Sequence, residues 1–322
     1  MTMMRLLCAT TCAGMIAGAA CAQDWRGWNI HPEGYPNTVA LDQFVEEVNA
    51  NTDLTLQAFH GGVLGSQPDA IEQVRNDALQ FGNFNLGPMG PIIPTTNVVS
   101  LPFIFSSVDH MHKAMDGEVG KIFEEAMAAE GLVPLAWYDS GSRSFYNSKR
   151  PITAPEDVEG MKLRVMNNDL FVDMVAELGG NATPMDFAEV YQSLKTGVID
   201  GAENNYPSYE STGHFEVAGF YSITDHLIIP ECVCVSADSW NALDEATQEA
   251  VRAAAQASAE TQRELWAQRE VESREKVEAA GAKVNEVSDK TAFQERMAAV
   301  YDGFTADNPD LAPVIEAIRA VE

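Results

Sequence analysis

Positive charge is scarce in this chain. Twenty lysines and arginines stand against 48 aspartates and glutamates, a formal net charge of −28. A nucleic-acid partner needs a basic footprint that is missing here. One-signed charge on this scale favours solubility and repulsion between copies, so a monomer is expected. Cysteine is scarce too: five in 322 residues, with Cys8, Cys12 and Cys21 at the beginning. Only Cys232 and Cys234 remain for the rest. On a regular strand they share a face with α-carbons near the upper limit for a disulfide. They read as two small apolar residues of a buried strand, and they lack the further ligands a metal site needs. The six histidines are scattered. There is no HExxH, no GxSxG and no glycine-rich phosphate loop. His110 and His112, two apart on an expected helix, do not face one metal. An enzyme needs an activated nucleophile, a metal or an acid–base pair, so the expectation is a non-enzyme without cofactor or metal.

Long apolar runs are missing as well. Residues 1–22 read as a secretory signal peptide, with Arg5 as the early cation, a short apolar Leu6–Ala20, and Ala20-Cys21-Ala22 as the small-residue cleavage pattern. The mature start then falls near Gln23, and acylation of Cys21 is the alternative. No later stretch is long enough to span a bilayer. The expected product is a soluble export.

What is present is an alternation of strands and helices. Strands are expected at Trp25–Ile30, Leu54–Phe59 and Phe81–Leu86. The helices between them run over Val39–Ala50, capped by Thr38, and Pro68–Leu79. A helix over Val108–Glu130 should break near Gly117–Gly120. A long run from Leu132 to Ser148, interrupted at Gly141, suits a segment crossing between domains. A second unit follows: strand Lys162–Met166, helix Asp169–Leu178, strand Asn181–Met185, helix Phe187–Thr196 and a strand or turn Val198–Glu203. Ile223–Val235 crosses back. Asp244–Ala280 is helical, proline-free and well beyond average helix length. Lys283–Val287, Phe293–Phe304 and Leu311–Ile318 close the chain as a strand and two helices. This is an α/β architecture in two units, with ligand sites expected at strand ends.

The stretch from Gly160 to Tyr206 carries the chemistry. In GMKLRVMNNDL, Lys162 and Arg164 alternate with Leu163 and Val165, placing both cations on one face of a strand whose other face enters a core. An arginine fixed on a strand suits a carboxylate, because its planar fork donates two parallel hydrogen bonds; a solvated strand edge is the plainer reading. At the other end, DGAENNY brings Asn204 and Asn205 behind a turn, amides that both donate and accept.

With PMDFAEVYQSLKTG between them, these segments resemble the substrate-binding proteins of TRAP transporters, the DctP-type family, in order along nearly the whole mature chain. The resemblance implies a two-lobed periplasmic-binding-protein architecture with two crossing strands and a long helix spanning both lobes. Lobe I would comprise 23–140 plus 230–269, and lobe II 141–229 plus 270–322. It further implies that the lobes close on an organic acid and deliver it, without chemistry, to membrane permease subunits. Arg164 matches the family's carboxylate-binding arginine, Arg143 a second arginine on the crossing strand, Asn204 the site amide, and Phe187 the aromatic that packs on the ligand. Loops His31–Tyr35, His60–Gln67 and Asn85–Met89 should face the ligand, making His31, Asn85 and Gln67 candidates for hydroxyl contacts, with Asn205 beside Asn204 a further one. Plainer roles stand beside these: Arg143 as a hinge brace, Asn85 as a turn cap, His31 as a solvent-facing loop histidine. GWNIHPEGYPN, HGGVLGS and ENNYPSYESTGHFEVAG look like the sugar-acid branch, which points to a hexuronate. A C4-dicarboxylate or other organic acid, or a sensor ectodomain presenting such a ligand, are the alternatives.

Overall fold

In the computed structural model of the chain, residues 24–321 are described; the expected signal peptide and Cys21 lie outside them. Trp25 and Trp28 are fully buried on the first strand, β1 (Asp24–Asn29). Pro36, at a first-turn position, opens α1 (Pro36–Asn51), where its fixed φ and missing N–H suit a helix start. The helix therefore begins before Thr38, which does not cap it. Thr38 Oγ1 instead accepts from Asn29 Nδ2 and donates to the Pro32 carbonyl, tying α1 to β1. β2 (Thr55–Phe59) is followed by α2 (Gln67–Arg75), capped by Ser66, and β3 (Phe81–Asn85). α2 stops short of Leu79 because Asp77 turns to φ +57°. α3 (Val108–Met115) and α4 (Glu118–Ala129) are separated at Asp116–Gly117, at the leading edge of the break expected near Gly117–Gly120, and Gly120 itself is helical.

β4 (Leu132–Tyr138) and β5 (Ser142–Asn147) form the first crossing. Next come β6 (Lys162–Val165), α5 (Asp169–Glu177), β7 (Asn181–Pro184), α6 (Val190–Thr196) and β8 (Gly201–Asn204). Two short helices without a counterpart in the sequence reading, α7 (Tyr206–Ser211) and α8 (His214–Val217), lead into β9 (Phe220–Ile228). β10 (Glu231–Ser236) completes the second crossing, and α9 (Ala237–Asn241) precedes α10 (Glu245–Ala279). β11 (Lys283–Glu286), α11 (Thr291–Asp307) and α12 (Ala312–Arg319) end the chain.

The strands make two sheets, ordered β2-β1-β3-β10-β4 and β11-β9-β5-β8-β6-β7. β1, β2 and β3 run parallel, as do β6, β7 and β8, whereas β10 runs antiparallel to β3 and β4, and β5 to β8 and β9. The chain thus passes between sheets three times, at 139–141, at 229–230 and by way of α10 to β11. One apolar cluster runs from Trp28 and Phe84 through Phe145 to Leu163, Val165 and Ile315, so the two sheets share part of their core. α11 packs on α5, while α12 returns to α4.

α10, about 52 Å long at 1.5 Å per residue, is the strut. Val251, Ala254, Ala255 and Ala259 pack in one cluster with Leu41, Phe44 and Val48 of α1; Val277 joins Tyr146, Tyr209 and Tyr221 in another. Between them, the buried Gln262 accepts from Asp139 N and donates to the Asp139 carbonyl and Asn37 Oδ1. Further along, Arg269 and Lys276 both reach Glu210 of α7.

The expectation for the cysteines is overturned: Cys232 and Cys234 are joined by a disulfide. The register of β10 against β4 shifts between Val233 and Cys234. Their α-carbons are 5.5 Å apart, against about 6.8 Å for two steps of regular antiparallel strand, and that falls within bridging range.

Under the first crossing, Gly141 sits at φ +60°, and a Cβ there would lie 2.8 Å from Trp266 Nε1 and 3.2 Å from Glu270 Oε1. Burial, with Asp139 and Asp225 adding like charge, pushes the Glu270 carboxyl from its ordinary 4.5 up to about 7. The folded protein therefore holds this proton more tightly than the unfolded chain between those values. The stability it contributes is present at low pH and is lost as pH rises through that window. Glu270→Gln should melt like the wild type near pH 4.5 and gain about 2–3 kcal/mol above pH 7. Urea titrations at both pH values check this; an equal gain at both would contradict it.

Candidate functional site

The parallel strands of both sheets deliver their carboxyl ends to one place, as open α/β sheets do. β1 ends in Asn29 and leads through Ile30 to His31, β3 ends in Asn85, β6 leads from Arg164 to Met166 and Asn167, β7 leads to Met185–Phe187, and β8 ends in Asn204. The two crossing strands contribute from their opposite ends, Arg143 near the start of β5 and Glu231 at the start of β10. Between the sheets all of these but Asn29 enclose a cavity of about 240 Å³, which Gly61, Gly62 and Gly65 of the loop after β2 and Gln67 at the start of α2 also line. All eight residues singled out from the sequence border it: Arg164, Arg143, Asn204, Phe187, His31, Asn85, Asn205 and Gln67. His60, at the head of that loop, turns instead to Asp42, 2.9 Å away.

The two arginines are equally buried, at 4 % exposure, yet they differ in what surrounds them. Arg143 is fully partnered: Nε and Nη2 donate to the two carboxylate oxygens of Glu203 at 2.6 and 2.8 Å, and Nη1 donates to Asn204 Oδ1 at 2.8 Å. Burial works to depress its guanidinium, but the Glu203 carboxylate outweighs that and holds it above its ordinary value. Among the described residues Arg164 has only one hydrogen bond, from Nε to the Met185 carbonyl at 2.9 Å, and no carboxylate pairs with it. Burial dominates and pushes it down to about 10, so it still carries its charge at neutral pH. Its strand neighbours Leu163 and Val165 are fully buried, as the alternation indicated, while Lys162 points outward to the Gly197 carbonyl. Phe187 lies beside the guanidinium, 5.8 Å from ring centroid to Cζ.

Asn204 completes this end. Its oxygen is taken by Arg143 Nη1 and by the backbone N–H of Asn205. That fixes the amide orientation and leaves Nδ2 as the donor available to a ligand. Asn205 borders the cavity, but its polar atoms are engaged: Oδ1 caps α7 by accepting from Ser208 N, and Nδ2 donates to the Ser140 carbonyl. Asn85 similarly accepts from Gly87 N, the turn-capping role, and Gln67 Nε2 donates to the Asn85 carbonyl. Asn85 Nδ2 also donates to the Ile229 carbonyl, so both ends of that amide are engaged, whereas the Gln67 bond leaves its Oε1 for the cavity.

His31 is buried rather than solvent-facing. Its ring stacks on Tyr35 at 4.2 Å, and Nε2 lies 3.1 Å from both Glu231 oxygens. Asn37 Nδ2 donates to Glu231 at 2.8 Å. Tyr35 in turn meets Ser208 of α7 at 2.9 Å, joining the two sides behind the cavity. Sequence reasoning missed both glutamates. Glu203 has no spacing signal, because it meets Arg143 only through the pairing of β5 with β8. Glu231 has one: a carboxylate in the apolar run IIPECVCV, where an acid is rare unless partnered.

The arrangement offers a desolvated cation, amide donors, an aromatic face and, opposite, an acceptor pair. It contains no nucleophile–base pairing. The profile of the bacterial extracellular solute-binding proteins of family 7, the DctP family, matches residues 29–308. A solute-binding protein of Chromohalobacter salexigens is 55% identical over 306 residues, covering 94% of this chain and 91% of that one. A TRAP periplasmic solute-binding protein from Roseobacter denitrificans, solved with bound β-D-glucuronate, superposes with a TM-score of 0.92 at 63% identity, covering 93% of this chain and all of that one. One from Sulfitobacter sp. NAS-14.1, with bound β-D-galacturonate, gives 0.91 at 55% identity over 92% and 99% of the two chains.

Proposed function

The chain belongs to the DctP family of bacterial extracellular solute-binding proteins, and on that premise we propose that it captures a hexuronate, D-glucuronate or D-galacturonate, for a TRAP transporter. The acid is held between the two lobes and passed unchanged to the membrane permease subunits from outside the cytoplasm. The observation that carries this reading is Arg164, a buried guanidinium opening on a cavity without a carboxylate of its own. A protein holds such a group at a cost in desolvation, and a ligand carboxylate with bidentate geometry offsets it. Asn204 Nδ2 and Phe187 supply a further donor and a ring-packing face. The relatives solved with glucuronate and galacturonate support the choice of acid.

Closure is assigned to residues 139–141 and 229–230, with 23–140 and 230–269 forming one lobe and 141–229 and 270–322 the other. In that division α12 reaches back from the second lobe to the first, as do Tyr301 of α11, bonded to the Pro102 carbonyl, and Asn168, bonded to the Gly87 carbonyl.

A ligand that binds only the native state stabilises by mass action, about 2.7 kcal/mol at one hundred times Kd. For a chain of this length that is roughly 4 °C in Tm. A thermal-shift panel should show that rise with D-glucuronate or D-galacturonate and none with succinate. A response to succinate or a keto acid alone would reject the hexuronate reading.

A further inference from the structure

Glu231 enters the cavity from the other sheet than Arg164, and as an anion it is no partner for a ligand carboxylate. It is 3 % exposed, whereas the other cavity-lining acids among the described residues, Asp186 and Glu189, are half-buried and exposed. It sits on a strand whose residues are all buried, so its position is fixed by the sheet and not by a flexible loop. Two side chains hold it, His31 Nε2 at 3.1 Å from each oxygen and Asn37 Nδ2 at 2.8 Å from Oε2. A carboxylate has about four acceptor sites, and two donors leave capacity on the side that faces the cavity. Hydroxyls can fill that capacity by donating; a second carboxylate has only acceptors to offer and brings a like charge into a desolvated place.

We propose that Glu231, steadied by His31 and Asn37, is the specificity residue that makes this cavity accept an acid with hydroxyls at its far end and refuse one with a carboxylate at both ends. This rests on the hexuronate reading. It adds the rule by which the site discriminates among sugar acids: Arg164 demands one carboxylate and Glu231 forbids a second. The discrimination comes from repulsion as much as from attraction, which is how a site separates ligands that share most of their contacts.

The test titrates galactarate, which has a carboxylate at each end, against its monoamide, the same carbon chain with one charge removed. Both are run beside D-galacturonate on the wild type and on Glu231→Gln. The wild type should bind the monoamide at least ten-fold more tightly than galactarate, and Glu231→Gln should bring the two within about three-fold of each other. Because the two acyclic ligands share a shape, the wild-type ratio alone decides the matter if the variant does not fold. A wild type that binds both equally overturns the proposal, as does a folded Glu231→Gln that keeps the ten-fold ratio. A folded variant that loses every ligand also counts against it, since the isosteric amide removes the charge and keeps an acceptor. Failure of the wild type to bind D-galacturonate and D-glucuronate at all rejects the hexuronate reading itself, and the selectivity rule with it.

Discussion

Arg164→Met is expected to raise the Kd for hexuronate by hundreds- to thousands-fold while leaving the empty protein at least as stable as the wild type. The loss follows from what the ligand meets. Without the guanidinium its carboxylate is buried unpaired, a penalty of about 3–5 kcal/mol, which the relation between free energy and Kd converts to that range. The unchanged or raised melting temperature follows from what the empty protein no longer carries. Arg164 is buried, bonded only through Nε, and depressed to about 10 by desolvation. Replacing a buried charge by an apolar side chain of similar volume is often neutral or stabilising. A structural arginine would behave oppositely, its removal lowering Tm whether or not ligand binding suffered. Calorimetric titration and a thermal melt on the same sample separate the two cases. A Kd within three-fold of wild type would remove Arg164 from the site.

The second large effect is expected at Glu203. Its carboxylate takes two hydrogen bonds from Arg143 on the neighbouring strand, and both residues are almost fully buried. Glu203→Gln leaves the Arg143 charge uncompensated, which costs about 3–5 kcal/mol when one partner of a buried pair is removed. For this chain length that lowers Tm by roughly 5–8 °C. Arg143 also orients Asn204, so ligand affinity should fall as well. Combining Glu203→Gln with Arg143→Met removes the orphaned charge and should recover much of the stability without the affinity. A double-mutant cycle on Tm reads this directly. If Glu203→Gln melts with the wild type, the pair does not brace the crossing strand.

These two residues also mark what could be read in the sequence. Arg164 was legible because a period-2 alternation puts it opposite Leu163 and Val165, a pattern contained in four consecutive residues. His31 and Asn85 were legible as residues at the ends of strands in an α/β order. The long helix announced itself by length and lack of proline; Asp244, where the expected range begins, caps it. Glu203 was not legible, because its partner lies 60 positions away and the two meet only through the register of β5 on β8. The disulfide was hidden for the same reason: two cysteines on an ideal strand stand at the upper limit of bridging range, and the irregularity beside them exists only in the pairing with β4. Asn205 was read as a ligand contact from its chemistry alone. Its neighbours show how a side chain beside a cavity can have its polar atoms engaged elsewhere, here by α7 and by the crossing at Ser140.

The central claim is that one guanidinium awaits one carboxylate. A crystal structure of the wild-type protein grown with D-glucuronate or D-galacturonate tests it most directly. The sugar carboxylate should lie about 2.7–2.9 Å from the terminal nitrogens of Arg164, with the ring hydroxyls turned toward Glu231 and His31. A carboxylate found at the Glu231 end, or a sugar bound with Arg164 untouched, would contradict the account.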